Sequence, residues 1–237
     1  VSDGDLNPRD AIVPLFSVGK ESPVEFLGTG SIVGDGSILL TADHVISAWP
    51  PDSLRIGVLG RGMFEASVIE RDSPHDLALL RIADYRPERP LTVEFDEPVY
   101  QNSPLMTYEY GTTVVTGTSM NFNPATRLGH MTRRMDLQDT LGPAGDGAME
   151  LSFPALRGAS GAPVMFDESA GRLLLGKPGF GIVGVIVANA AYHLLPAQIE
   201  AVLSQDNSSY EEVRYLLPQA VAVSVEHLRP MYERAMS

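Results

Sequence analysis

The apolar residues of this chain arrive in short β-rich runs closed off by Gly, Pro, Asp or Ser, and almost no stretch of helical length and period lies between them. Ala11 to Val18, Glu25 to Val33, Ser37 to Thr41, Met63 to Arg71 and Leu77 to Ala83 read as strands. Thr113 to Met120, Ala148 to Phe153, Ala162 to Phe166, Arg172 to Leu175, Gly181 to Ala188 and Ala220 to Val225 continue the pattern. The missing strand–helix–strand alternation disfavours a doubly wound parallel sheet, and so many short strands point to barrels or sandwiches. The fold class is therefore all-β. Helical signals are confined to the last quarter. Pro196 to Leu203 predicts a helix, and Arg229 to Met236, also beginning beside a proline, predicts a short C-terminal helix. Pro87, Pro90, Pro98 and Pro104 mark a connector between two halves, with the boundary near residue 97, giving units 1–96 and 97–237.

Composition narrows the partners. Among 237 residues, 17 Lys and Arg face 30 Asp and Glu, a formal charge of −13 that repels phosphate backbones and anionic headgroups, so nucleic acid is not an expected partner. No apolar stretch approaches the roughly 18 to 20 residues of a bilayer span, so membrane insertion is not expected either. The compartment stays open: cytoplasm, or periplasm or exterior with a trimmed signal. Cysteine is absent, which removes disulfides, thiolate nucleophiles and Cys-based zinc sites together. His130, His193 and His227 fall in no metal-binding spacing, so neither a metal nor a cofactor is expected. The oligomeric state is not legible.

Three local patterns carry chemistry: Thr41-Ala42-Asp43-His44 after a strand, Asp76-Leu77-Ala78-Leu79-Leu80 opening another, and Gly158-Ala159-Ser160-Gly161-Ala162-Pro163. A serine hydroxyl is a weak nucleophile near neutral pH and needs a base of matched pKa, for which imidazole is suited. His44 is the candidate base and Ser160 the candidate nucleophile. Asp76 is the carboxylate that would orient His44 and stabilise its imidazolium. The oxygen charge that develops on attack needs converging donors, and a tight Gly-x-Ser turn can aim the N–H groups of Gly158 and Ser160 at it. Asp43 and Asp72 read as surface acids, and His75 as a structural residue facing away from the Asp76 side chain.

In the order His44, Asp76, Ser160, with gaps of 32 and 84 residues, these motifs resemble those of trypsin-like, chymotrypsin-fold serine endopeptidases. The chain is most similar to their cysteine-free, HtrA/DegP-like bacterial branch. Gly28-Thr29-Gly30-Ser31, Val183-Gly184-Val185 and Ala222 to Leu228 match that branch as well, so the resemblance spans about residues 11–188 and 219–236 and implies that about 189–218, with its predicted helix, is an insertion. It implies two six-stranded antiparallel barrels, a polypeptide substrate and an acyl-enzyme route. It also implies a primary specificity pocket walled by Pro154 and Ala155 on one side and by Val187, Ala188 and Asn189 on the other. Neither wall carries an acid, so a small or medium apolar P1 residue is expected rather than Lys or Arg. Ala159 cannot pair with an N-terminal ammonium, so activation by that route is not expected.

Two rival readings remain. One is a catalytically silent protease fold that binds peptides or serves as a scaffold. The other is an α/β-hydrolase, whose nucleophile elbow Gly158 to Ala162 approximates, with Asp206 and His227 completing the triad; Ala162 breaks that motif.

Overall fold

Six short strands with apolar inward faces close the first barrel in this computed structural model, which describes residues 10–19, 23–117, 119–136, 146–167, 180–193, 198–203, 208–213 and 216–237. They are β1 (Ile12–Ser17), β2 (Glu25–Val33), β3 (Ile38–Ala42), β4 (Leu54–Val58), β5 (Gly62–Asp72) and β6 (Leu77–Ile82), in the closed order β1-β2-β3-β6-β5-β4. Strand β3 is buried at every position, and Leu77 to Leu80 of β6 are buried too. Their unbroken apolar runs suit strands covered on both faces. A single cluster joins Leu39 and Val45 to Met106, Val185 and Val187, so the apolar core continues across the seam between the two halves.

Beyond β6 the connector carries β7 (Thr92–Val93), then β8 (Pro104–Glu109), the small hairpin β9 (Val114–Thr116) and β10 (Ser119–Asn121), β11 (Ala125–Asp136), β12 (Asp146–Leu151), β13 (Pro163–Phe166) and β14 (Gly181–His193). The hairpin β15 (Gln198–Leu203) and β16 (Ser208–Val213) precedes β17 (Leu216–Ser224). Six of these strands form the second barrel, in the order β13-β8-β11-β12-β17-β14, closed by pairing of β13 with β14. The connector is bonded to both barrels: Leu91 N–H donates to the Ile32 carbonyl (2.9 Å) and Glu94 N–H to the Ile182 carbonyl (2.9 Å). The chain ends in helix α2 over Arg229–Met236, with Pro230 in its first turn, as the sequence predicts. Among the described residues no helix is long and apolar enough to cross a membrane. The twin-barrel, all-β architecture leaves no place for an α/β-hydrolase sheet.

Several elements differ from expectation. The helix expected over Pro196 to Leu203 is replaced by strand β15, paired with β16 from Gln198↔Val213 to Leu203↔Ser208. Gln198, Ile199, Glu200 and Ala201 alternate polar with apolar there, which is a strand period rather than a helical one. Thr113 to Met120 is not one strand but the β9–β10 hairpin, broken at Gly117 (φ 60°). Strands β4, β7, β8, β11 and β16 fall outside the runs that the sequence marks as strands; Pro104, in the expected connector, opens β8 as its first residue, where a proline costs least. Arg172 to Leu175 lies outside the described residues.

At the end of β8, Glu109 is fully buried. Its carboxylate accepts from Arg127 Nε (3.1 Å) and Nη2 (2.9 Å) on β11, and from the Gly111 N–H. A two-pronged guanidinium makes such a buried charge tolerable, and the pair fixes the turn after β8. Glu109→Ala, which strands Arg127, is expected to cost about 3 to 5 kcal/mol in urea unfolding, and the double variant Glu109→Ala/Arg127→Met less than that.

Candidate active site

Strand β3 delivers His44. Ala42 is followed at once by a single helical turn, α1 (Asp43–Ile46), whose first N–H groups need acceptors. Asp76 supplies them. Asp43 N–H donates to the Asp76 carbonyl (3.1 Å), His44 N–H donates to Asp76 Oδ1 (2.7 Å), and Asp76 Oδ2 lies 2.6 Å from His44 Nδ1. These contacts come with a left-handed backbone at Asp76 (φ 54°) after the 3-10 turn Ser73–His75, a conformation aspartate tolerates better than most residues. A carboxylate on Nδ1 assigns the ring hydrogen to that nitrogen and leaves Nε2 as the free base. The His44 side chain is 47% exposed and that of Asp76 15%, so the base is open to a ligand while its partner is shielded.

Asp43 is not the surface acid expected. It is buried, held by a two-pronged contact to Arg71 on β5, with Nη2 to Oδ2 at 3.1 Å, and it accepts from Ser73 Oγ at 2.7 Å. Being next to His44 in sequence, it ties α1 to the segment carrying Asp76. A lone acid in a polar tetrapeptide gave no sign of this, since Arg71 and Ser73 approach only once β5 and β6 have paired. Asp72 is half-buried rather than superficial, with Oδ2 2.7 Å from His75 Nδ1. His75 also stacks on His227 (ring centroids 3.9 Å apart, 13° between planes) and takes no part in the His44–Asp76 pair.

The Ser160 turn belongs to the second barrel but is bonded to the first. Ser160 carbonyl accepts from Thr29 N–H on β2 (2.9 Å), and Gly158 carbonyl accepts from Thr29 Oγ1 (2.9 Å). Gly158 (φ 91°) and Gly161 (φ 83°) have backbones that disfavour a side chain, and a Cβ would press on Phe26 at the first position and on Thr29 and Thr41 at the second. Within the turn Ala159 N–H donates to Leu156, Gly161 N–H to Ile186 and Ala162 N–H to Ala159. Gly158 and Ser160 N–H donate to no backbone carbonyl among the described residues. The Ser160 hydroxyl likewise makes no hydrogen bond to the His44 ring among those residues.

An open cleft of about 550 Å³ runs past these groups, lined by Phe26, His44, Val45, Trp49, Arg157 and Gly158. The two segments expected to wall a specificity pocket are joined to each other: Ala155 N–H donates to Asn189 Oδ1 (2.9 Å), and Asn189 Nδ2 donates to the Ala155 carbonyl (2.6 Å). Val187 sits at a bulge between Ile186 and Ala188 in the pairing of β14 with β17, and it is buried, as Ala155 is; Pro154 and Ala188 are half-buried.

Residues 28–174 match the trypsin-like peptidase domain family. The chain belongs to that family. It is a serine protease. No curated protein sequence matches it. Among solved structures, the MamO protease domain from Magnetospirillum magneticum is 16% identical with a TM-score of 0.62, covering 94% of this chain and 96% of that one. The active form of the Rv3671c protease from M. tuberculosis is 15% identical with a TM-score of 0.62, covering 94% and 79%. The HtrA-type protease AlgW, solved with a decapeptide, is 15% identical with a TM-score of 0.63, covering 92% of this chain and 62% of its own. At such identities the likeness is one of fold, and that fold is the chymotrypsin-like double barrel.

In this trypsin-like peptidase the hydrogen bond to Asp76 raises the His44 pKa above the ordinary 6.5; burial opposes the shift, and the charges of Asp76 and Asp43 reinforce it. A folded value above the unfolded one means that protonated His44 stabilises the fold fully below about pH 6.5, and that this contribution is lost as pH rises through the folded midpoint. Titration of the His44 ring by NMR is expected to give a midpoint above 6.5, and Asp76→Asn is expected to lower it.

Proposed function

We propose that this protease is an endopeptidase in which Ser160 is the nucleophile, His44 the general base and acid, and Asp76 the group that orients His44. The observation that carries this reading is the 2.6 Å pair of His44 Nδ1 with Asp76, which leaves Nε2 basic in the cleft beside the Ser160 turn. Ser160 Oγ attacks the scissile carbonyl carbon while its proton passes to His44 Nε2. The oxyanion is met by the N–H groups of Gly158 and Ser160. The intermediate collapses with cleavage of the C–N bond, and His44 gives its proton to the leaving amine, leaving an ester on Ser160. Water then attacks that ester, losing its proton to His44, and the acid product departs as Ser160 Oγ is reprotonated. In resting enzymes the serine–histidine hydrogen bond is commonly long and tightens with substrate in place.

Asn189 supports a narrow P1 pocket. Its carboxamide spans from the β14 wall to Ala155, and no acid stands among Pro154, Ala155, Val187, Ala188 and Asn189, so a small or medium apolar P1 residue fits and Lys or Arg does not.

A fluorophosphonate probe is expected to label the wild type at Ser160 and to leave Ser160→Ala unlabelled. Ser160→Ala and His44→Ala should each lower kcat by about 10⁶-fold, with no further loss in the double variant. An active protein whose Ser160→Ala variant keeps full activity excludes this mechanism, and an unlabelled, inactive wild type indicates a silent peptide-binding fold. Cleavage sites in a denatured proteome, with Ser160→Ala as the blank, should concentrate after Ala, Val and similar residues; a majority after Lys or Arg would reject the pocket assignment.

A further inference from the structure

Thr29, fully buried on β2, meets the Ser160 turn at two points. Its N–H donates to the Ser160 carbonyl (2.9 Å) and its hydroxyl to the Gly158 carbonyl (2.9 Å). The direction of the second bond is fixed because a carbonyl oxygen can only accept, so the Thr29 hydroxyl hydrogen faces Gly158. Its oxygen in turn accepts from Tyr110 N–H (3.1 Å). Thr29 is itself held from behind, its carbonyl accepting from Thr41 Oγ1 (2.8 Å) on β3, three residues before His44. One residue, through its carbonyl on one side and its hydroxyl on the other, thus links β3, which leads into His44, to the turn that carries Ser160.

The turn is locked plane by plane. The 158–159 peptide is held through the Gly158 carbonyl by Thr29 and through Ala159 N–H by Leu156 (2.9 Å). The 160–161 peptide is held through the Ser160 carbonyl by Thr29 and through Gly161 N–H by Ile186 (2.7 Å). The peptide between them bears the Ser160 N–H, and the one before them bears the Gly158 N–H. Gly158, with no Cβ and a φ of 91°, is the link at which this arrangement can most easily rotate. We propose that the Thr29 hydroxyl is a positioning group for the oxyanion donors, acting from the opposite barrel by holding the Gly158 carbonyl. Its contribution falls on the transition state, because the donors it aligns meet full charge only there.

This rests on Ser160 being the nucleophile, and the test separates the two claims. Thr29→Val keeps the N–H bond to Ser160 and the side-chain volume but removes the hydroxyl. Its rate of labelling by a fluorophosphonate, and kcat on tri-alanine p-nitroanilide, should fall about 10- to 100-fold, with KM within about twofold. Thr29→Ser restores the hydroxyl and should stay within about threefold of the wild type. Thr29→Ala substitutes for the valine variant if the latter does not melt cooperatively. A folded Thr29→Val or Thr29→Ala labelled at the wild-type rate overturns the proposal, as does a Thr29→Ser that loses as much as Thr29→Val. A wild type that is not labelled at Ser160 removes the mechanism beneath it instead.

Discussion

The Thr29 N–H bond to the Ser160 carbonyl is a main-chain contact between barrels, and it sets how closely two independently closed sheets approach. Backbone groups can meet across that seam only where side chains are absent or short. Gly28 satisfies this, since a Cβ there would sit 2.8 Å from the Ser160 carbonyl and 3.0 Å from Val45. Gly161 satisfies it from the other side, against Thr29 and Thr41. The pattern Gly28-Thr29-Gly30-Ser31 is therefore a docking edge. The strand continues through it with Gly30 paired to Val13 and Ser31 to Ile12.

On the first-barrel side of the seam the polar groups are interlocked around one aspartate. Asp76 gives its carbonyl to Asp43 N–H and its two carboxylate oxygens to His44, one to the backbone and one to the ring. Asp43 turns its own carboxylate inward to Arg71 and Ser73. The acids on either side of the base thus do different work. One sits on the imidazole, and the other fastens the helical turn that presents it. Both raise the affinity of His44 for a proton, Asp76 far more directly because it shares the hydrogen bond.

Much of this was legible in the amino-acid order, because strand length and turn residues are local properties. The runs at Glu25 to Val33 and Leu77 to Ala83 became β2 and β6 almost to the residue, and the tetrapeptide ending in His44 and the run opening at Asp76 contain the pair that meets at 2.6 Å. What stayed hidden depends on pairing at long range. Pro104 conceals the start of β8, and the polar, arginine-rich sequence of β11 conceals a strand two of whose arginines pair with Glu109 and Glu150 on its neighbours. Within 189–218, Pro196 mimics a helix start, while the alternation over Gln198 to Ala201 is a strand period. Thr29 was visible as part of a motif, but its two bonds to the Ser160 turn exist only once the barrels have docked.

The linker between the halves is stitched to each of them, through Leu91 to Ile32 and through Glu94 to Ile182, with β7 running parallel to β14 between those points. A tether sewn at both ends cannot work as a hinge without tearing its stitches. Any swing of one barrel against the other has to break these main-chain bonds, so the linker braces the seam from outside as the Thr29 contact braces it from within.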